Sequence, residues 1–79
     1  MLVVLNHDVN HVSNGCDARS WDLGLSAHQK SPELARRNLE RLVLSYLQHF
    51  QREGTLDQEI ARAGLQADNE EPGLRVTTV

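Results

Sequence analysis

The chain has 79 residues, a formal net charge of −3 and one cysteine. A chain of this size buries only about 60% of its unfolded surface, so a deep substrate pocket beside the core is disfavoured, and so is a monomeric enzyme. One cysteine excludes an internal disulfide and fits a reducing compartment. No segment approaches a membrane span, and the apolar run at residues 2–5 lacks the basic flank of a signal peptide. We expect a soluble cytoplasmic protein with a single domain over residues 1–79.

The charge is unevenly distributed along the chain. Residues 1–29 sum to −2, residues 30–52 to +3 and residues 53–79 to −4. A nucleic-acid binder usually has a broad basic footprint, whereas here the basic charge is confined to one segment. This distribution favours a protein partner over nucleic acid.

The first third of the chain has the pattern of strands. Residues 2–5 form an apolar, β-branched run, and Asn14-Gly15 is a strong hairpin signal. Residues 10–19 and 21–29 alternate apolar and polar side chains, with a change of phase near Ser20-Trp21. This alternation predicts two more strands that turn Leu23 and Leu25 toward a core and Asp22 toward solvent.

A long amphipathic helix follows. Ser31 suits the N-cap, Pro32 the first helical position, and Gly54 the left-handed residue that ends the helix. Apolar residues recur at spacings of three and four, which predicts one buried stripe along the helix. Its members are Ala35, Leu39, Leu42, Val43, Tyr46 and Phe50.

A second, shorter helix is predicted to start at once. Thr55 and Gln58 have the spacing of a capping box, and Gly64 ends the segment. Residues 68–73 are predicted to be a loop and residues 74–79 a last strand. The fold class is therefore α+β: a small βββα(α)β domain in which one long helix packs on one face of a three- to four-stranded antiparallel sheet. One of the two short terminal strands is expected to offer an edge to a twin subunit.

The segments "KSPELARRNLERLVLSYL", "EGTLDQEIARAGL" and "LRVTTV" resemble the HicB-like antitoxin family. Matches to its motif fall just after the predicted hairpin and at the helix ends: Ser31, Pro32, Glu33, Ala35, Asn38, Leu39, Glu53, Gly54, Leu56, Ala63 and Gly64. Gln29 departs from the pattern, because the family usually has glycine there.

The resemblance implies a partial RNase H-like fold, with a three-stranded meander, a helix on one face and a fourth strand returning. Members typically neutralise a small toxin that cleaves messenger RNA, and many carry a C-terminal DNA-binding domain. The sequence stops at Val79 without such a domain. The resemblance therefore implies an isolated interaction domain and no activity of its own.

Other chemistry is weakly indicated. His7, Asp8, His11, Cys16 and Asp17 are close in sequence, but they lack the paired spacing of a zinc site. Cys16 lies beside an aspartate, the wrong sign for a reactive thiolate, and is better interpreted as a small core residue. We expect no catalytic residues, metal or cofactor.

Six residues are candidates for partner binding. Asp17, Arg19 and Asp22 are expected to face outward from the sheet. There the acidic groups would bind the basic surface of a partner. On the outer face of the long helix, Leu44 is expected to be exposed between Arg37 and Arg41, and arginine is enriched at interfaces.

The sequence thus predicts a non-catalytic, HicB-like domain that binds a small basic, toxin-like protein and forms a dimer or tetramer. The alternative is a small nucleic-acid-binding or regulatory module that uses Arg36, Arg37 and Arg41; its binding would fall steeply with salt. A metal-dependent enzyme is a third, weaker hypothesis.

Overall fold

The computed structural model describes residues 1–79 and contains six strands and two helices. In chain order these are β1 (Leu2–Leu5), β2 (Asp8–Val12), β3 (Gly15–Ser20), β4 (Leu25–Gln29), α1 (Pro32–Glu53), α2 (Leu56–Ala63), β5 (Gln66–Asp68) and β6 (Arg75–Thr78). The predicted α+β class, with one long helix packed on a sheet, is confirmed. The sequence does not reveal the number of strands, and α1 is the only element longer than eight residues.

The strands form two three-stranded sheets rather than one. In the first, β1 lies between β5, which is antiparallel to it, and β6, which is parallel to it. The second is the antiparallel meander β2-β3-β4. Only Asn6 and His7 separate β1 from β2, so the first strand of one sheet leads directly into the other.

The hairpin lies where Asn14-Gly15 predicts it, but the strand bounds differ from the prediction. The single strand expected over residues 10–19 is two strands, β2 and β3, joined at Ser13-Asn14. Gly15 has φ +147°, and a Cβ there would collide with the carbonyl oxygen of Gln29 on β4. Glycine is therefore required both by the turn and by the close approach of β4.

Helix α1 begins and ends as predicted. The Ser31 side chain accepts a hydrogen bond from the Leu34 amide at 3.2 Å, and Gly54 ends the helix with φ 76°. The buried stripe is rotated from the predicted one, because it consists of Ala35, Leu39, Val43 and Leu47. Leu42 is 40% exposed, so its assignment to the core is wrong.

Helix α2 has the predicted bounds but not the predicted cap. Thr55 makes no side-chain capping bond, so no capping box forms with Gln58. The backbone carbonyl of Thr55 accepts from the Glu59 amide at 3.1 Å instead. Gly64 ends the helix with φ 68°, as expected.

The core lies between α1 and the two sheets. Its buried members come from β1, β3, α1 and the segment after α2: Val3, Leu5, Cys16, Ala18, Ala35, Leu39, Val43, Leu47 and Leu65. Leu23 and Leu25 are partly buried against this core while Asp22 is exposed, which confirms the predicted orientation at this end of the meander. Cys16, 3% exposed, is the core residue that its sequence context indicates.

Of the two terminal strands, only β6 lies at a sheet edge. β1 is paired on both sides. β6 lies at an edge, but a carboxylate from α1 occupies part of it: Glu40 accepts from both the amide and the hydroxyl of Thr78, at 2.9 and 3.0 Å. Arg36 adds a bond to the same hydroxyl at 3.1 Å. Side chains of the helix therefore close the β6 edge at Thr78.

Candidate protein-binding surfaces

The outer face of the β2-β3-β4 meander, which we call the open sheet face, carries no covering element. In β3 the inward side chains are buried, and the alternate ones, Asp17 and Arg19, point away from α1. The strand register extends these two positions into rows across the sheet. One row is Asp8, Arg19 and Ser26; the other is Asn10, Asp17 and His28.

An aromatic anchor lies at one end of the open sheet face. Trp21 follows β3 directly and is 64% exposed. Its indole N–H donates to the Asp8 carboxylate, and the Arg19 guanidinium carbon lies 5.0 Å from the ring centroid. The two contacts hold a large amphipathic ring at the surface in one orientation. Tryptophan in such a setting is a frequent binding hot spot.

The second row has its own polar pair. Nδ1 of His28 and Oδ1 of Asp17 are 2.6 Å apart, and the two side chains are 51% and 31% exposed. Asp22 is exposed in the turn after Trp21. With three aspartates, Asp8 included, and one arginine, the open sheet face and its flanking turn are acidic. Asp17 and Arg19 thus face outward from the sheet, and Asp22 is exposed in the adjoining turn.

The second set of predicted residues lies on α1. Arg37 and Arg41 are exposed, and Arg37 is paired with Glu33 at 3.2 Å. Leu44 is half-buried rather than exposed between the arginines, so its prediction as a surface leucine is wrong. At about 100° per residue it lies on the same flank as Glu40, which contacts β6. The error follows from the predicted position of the buried stripe. When the centre of that stripe is placed near Leu42, Leu44 falls on the opposite, exposed side of the helix.

The two sets of candidate residues do not form one site. Helix α1 covers the inner face of the meander, so its arginines point away from the sheet while Asp17 and Arg19 point out on the other side. A single flat partner surface cannot contact both. The exposed aspartates of the meander and the exposed arginines of α1 therefore lie on different sides of the molecule.

A buried carboxylate at the α1–α2 corner forms a polar cluster with a tyrosine and an arginine. Glu59 is 5% exposed; it accepts from Tyr46 Oη at 2.6 Å and from Arg62 Nε and Nη2 at 2.7 and 2.5 Å. The Arg62 hydrogen bond, reinforced by that of Tyr46, lowers the pKa of Glu59 to about 2. An open depression of about 370 Å³ lies beside it, bordered also by Phe50. Because both carboxylate oxygens are occupied, this cluster joins two helices rather than presenting a free base.

The histidines and acids near the N-terminus do not gather into a metal site. No group of three or more His, Cys, Asp or Glu side chains is placed to hold a metal ion. His11 Nδ1 is 3.4 Å from the sulfur of Cys16, but that sulfur lies in the core. No helix combines the length and the apolar character needed to cross a membrane.

Comparison with protein-family models, with curated proteins and with solved structures gives no match to this chain.

Sequence reasoning did not identify three members of the open sheet face: Trp21, Asp8 and His28. Trp21 lies where the apolar–polar alternation changes phase, so the pattern does not assign it to a face. Asp8 and His28 lie on this face because β2 and β4 pair with β3. That pairing depends on the register of the hairpin. Once β2 is allowed to start at Asp8, counting back from Asn14-Gly15 places Asp8 opposite Arg19.

Proposed function

We propose that this chain is a non-catalytic, HicB-like protein-binding domain that covers a small basic protein of the RNA-cleaving toxin type in the cytoplasm. The observation that carries the proposal is the open sheet face, an uncovered acidic surface with an exposed, oriented tryptophan. A toxin that binds RNA carries a basic surface, so its charge is complementary to the three aspartates. Charge complementarity of this kind raises association rates and selects partners.

The element order agrees with the HicB resemblance, because a meander is followed by a long helix and a late strand. The topology differs from what the resemblance implies, because the late strand β6 lies beside β1 in the other sheet and does not extend the meander.

The nucleic-acid alternative has less support from the same surfaces. Arg36 is paired with Glu33 and Glu40, and Arg37 is paired with Glu33. Of the three arginines proposed for it, Arg41 alone lies outside these ion pairs. Phosphate contacts need free basic side chains, and two of these three arginines are paired with glutamates.

The test is a pull-down with the tagged chain from its native host at moderate salt, followed by an assay of RNA cleavage by the recovered partner. We expect a small basic protein at about one-to-one stoichiometry, whose cleavage of RNA stops when purified domain is added. Trp21→Ala should weaken this complex about 30-fold or more, which is the scale of a hot-spot residue. The single variant Asp17→Lys should weaken the complex more than Trp21→Ala does, because it places a positive charge against the basic partner.

A matched control has the same change of charge elsewhere. Glu53→Lys alters the exposed last turn of α1 and should leave binding unchanged. A partner that cleaves no RNA would overturn the proposed function. A toxin complex that is lost in Arg41→Glu but intact in Asp17→Lys would overturn the assignment of the open sheet face.

A further inference from the structure

Two buried polar atoms at one end of the meander have no hydrogen-bond partner in the protein. They are Nδ1 of His7 and Oγ of Ser20. Ser20 is fully buried at the end of β3, and His7 lies in the two-residue link between β1 and β2. A buried polar atom without a partner lowers stability, so each such atom calls for a physical explanation.

The strand register places these two residues opposite each other. The last pair of the β2-β3 ladder is Asp8 with Arg19. One step further along the two antiparallel strands, His7 comes opposite Ser20. Directly opposite residues have Cβ atoms about 5 Å apart, which is within reach of a shared polar contact.

Both side chains belong to the inner face of the sheet. Ala18, two residues before Ser20, is fully buried, and so is Leu5, two residues before His7. Asn6, between Leu5 and His7, is exposed. Because side chains of an extended chain alternate between two faces, His7 and Ser20 both continue the inward rows.

The sequence neighbours of this inward pair form the aromatic anchor of the open sheet face. Asp8 follows His7, and Arg19 and Trp21 flank Ser20. The Asp8 carboxylate accepts from the Trp21 indole N–H, and the Arg19 guanidinium lies over the same ring. The inward pair and the outward anchor therefore share the same short stretch of backbone.

We propose that His7 and Ser20 are positioning residues for Trp21, linked to each other across the end of the ladder through one shared water molecule. Their polar atoms are not bonded directly, and a water that bridges two such atoms is enthalpically nearly as favourable as a direct hydrogen bond. The link fixes the backbone of β2 and β3 where their pairing ends, so Asp8 stays within reach of the indole N–H. The inference rests on the proposed function for the use made of Trp21, but its test needs no partner.

The first test uses Trp21 as its own reporter, because it is the only tryptophan in the chain. The NMR signal of its indole N–H reports the bond to Asp8, and Asp8→Ala gives the position of that signal without the bond. We expect Ser20→Ala and His7→Leu each to shift the signal toward this position. Leu47→Ala weakens the core from the side of α1 and should leave the signal in place while the chain is folded. A signal that stays at the wild-type position in both folded variants would overturn the proposal.

The second test measures the link itself by a double-mutant cycle in urea unfolding. We expect the unfolding constant of the double variant His7→Leu, Ser20→Ala to be about 3-fold or more below the product of the two single effects, because either change alone already breaks the link. His11→Leu replaces another histidine, four residues further along the chain and opposite Cys16, and should combine additively with Ser20→Ala. Additive effects of the His7 and Ser20 changes would show that no link joins these residues.

A third measurement needs no variant. A high-resolution crystal structure of the wild type should show one water within hydrogen-bond distance of both Nδ1 of His7 and Oγ of Ser20, and a dry contact between them would contradict the shared water.

The positioning role and the proposed function fail separately. A chain that recovers no basic toxin but passes the tests above would lose the proposed function and keep the positioning role. A chain that binds the toxin equally well in the wild type and Ser20→Ala, with an unmoved indole signal, would lose the positioning role alone.

Discussion

At the scale of single residues, Glu59 is a buried carboxylate whose hydrogen bonds link the two helices. It is a carboxylate with 5% exposure that accepts bonds from both Tyr46 and Arg62. The hydrogen bond between Tyr46 and Glu59 also raises the pKa of Tyr46, because ionising the phenol would place two negative charges together. Glu59 therefore joins the two helices through its charge.

We expect Glu59→Gln to lower the free energy of unfolding at pH 7 by about 1–3 kcal/mol, the usual cost of breaking charged, buried hydrogen bonds. The folded pKa, about 2, lies below the ordinary 4.5. The contribution is therefore full above about pH 4.5 and is lost as the pH falls toward 2.

The measurement is urea unfolding of the wild type and Glu59→Gln at several pH values between 7 and 2.5. The difference in the free energy of unfolding between the wild type and Glu59→Gln should become smaller as the pH falls. Glu70→Gln, in an exposed loop, is the control and should unfold like the wild type. A gap that stays constant with pH would contradict the charged role of Glu59.

The rotated stripe of α1 leads to a second prediction at this scale. Leu47 is fully buried and Leu42 is 40% exposed, although the sequence pattern places Leu42 in the core. Leu47→Ala should cost about 2–5 kcal/mol, the range for a truncated core leucine. Leu42→Ala should cost well under half of that. Thermal or urea unfolding compares the two, and the reverse order of stability would restore the stripe expected from the sequence.

At the scale of elements, local signals determine the helices better than the strands. Ser31, Pro32 and Gly54 act on neighbouring backbone groups, so they predict the bounds of α1 without knowledge of the rest of the fold. The strands depend on pairing with distant segments. β1, for example, is completed by residues more than sixty positions away.

The two helix starts allow a matched test of capping. Ser31 bonds the Leu34 amide, whereas Thr55 makes no side-chain capping bond. Ser31→Ala should therefore lower stability by about 1 kcal/mol, and Thr55→Ala by only a small fraction of that. Urea unfolding of the two variants measures the difference. Equal losses would mean that the Thr55 hydroxyl caps α2 after all.

At the scale of the whole molecule, the fold places the aspartates of the meander and the arginines of α1 on different sides. Asp8 and Asp17 lie on the open sheet face, and Arg37 and Arg41 lie on the exposed side of α1. The proposed contact with a basic partner would use the side with the aspartates, because charge complementarity selects partners.

The sequence by itself determined the α+β class, the two helices with their ends, and the outward direction of Asp17, Arg19 and Asp22. Each of these follows from short-range rules: capping, helical period and strand alternation. Only the tertiary structure decided that the strands form two sheets, that β6 runs parallel to β1, that Leu47 replaces Leu42 in the core, and that Asp8 and His28 lie beside Asp17 and Arg19. Those features depend on which distant backbone groups bond to each other and on how the helix rotates to pack against them. Neither is encoded in the spacing of neighbouring residues.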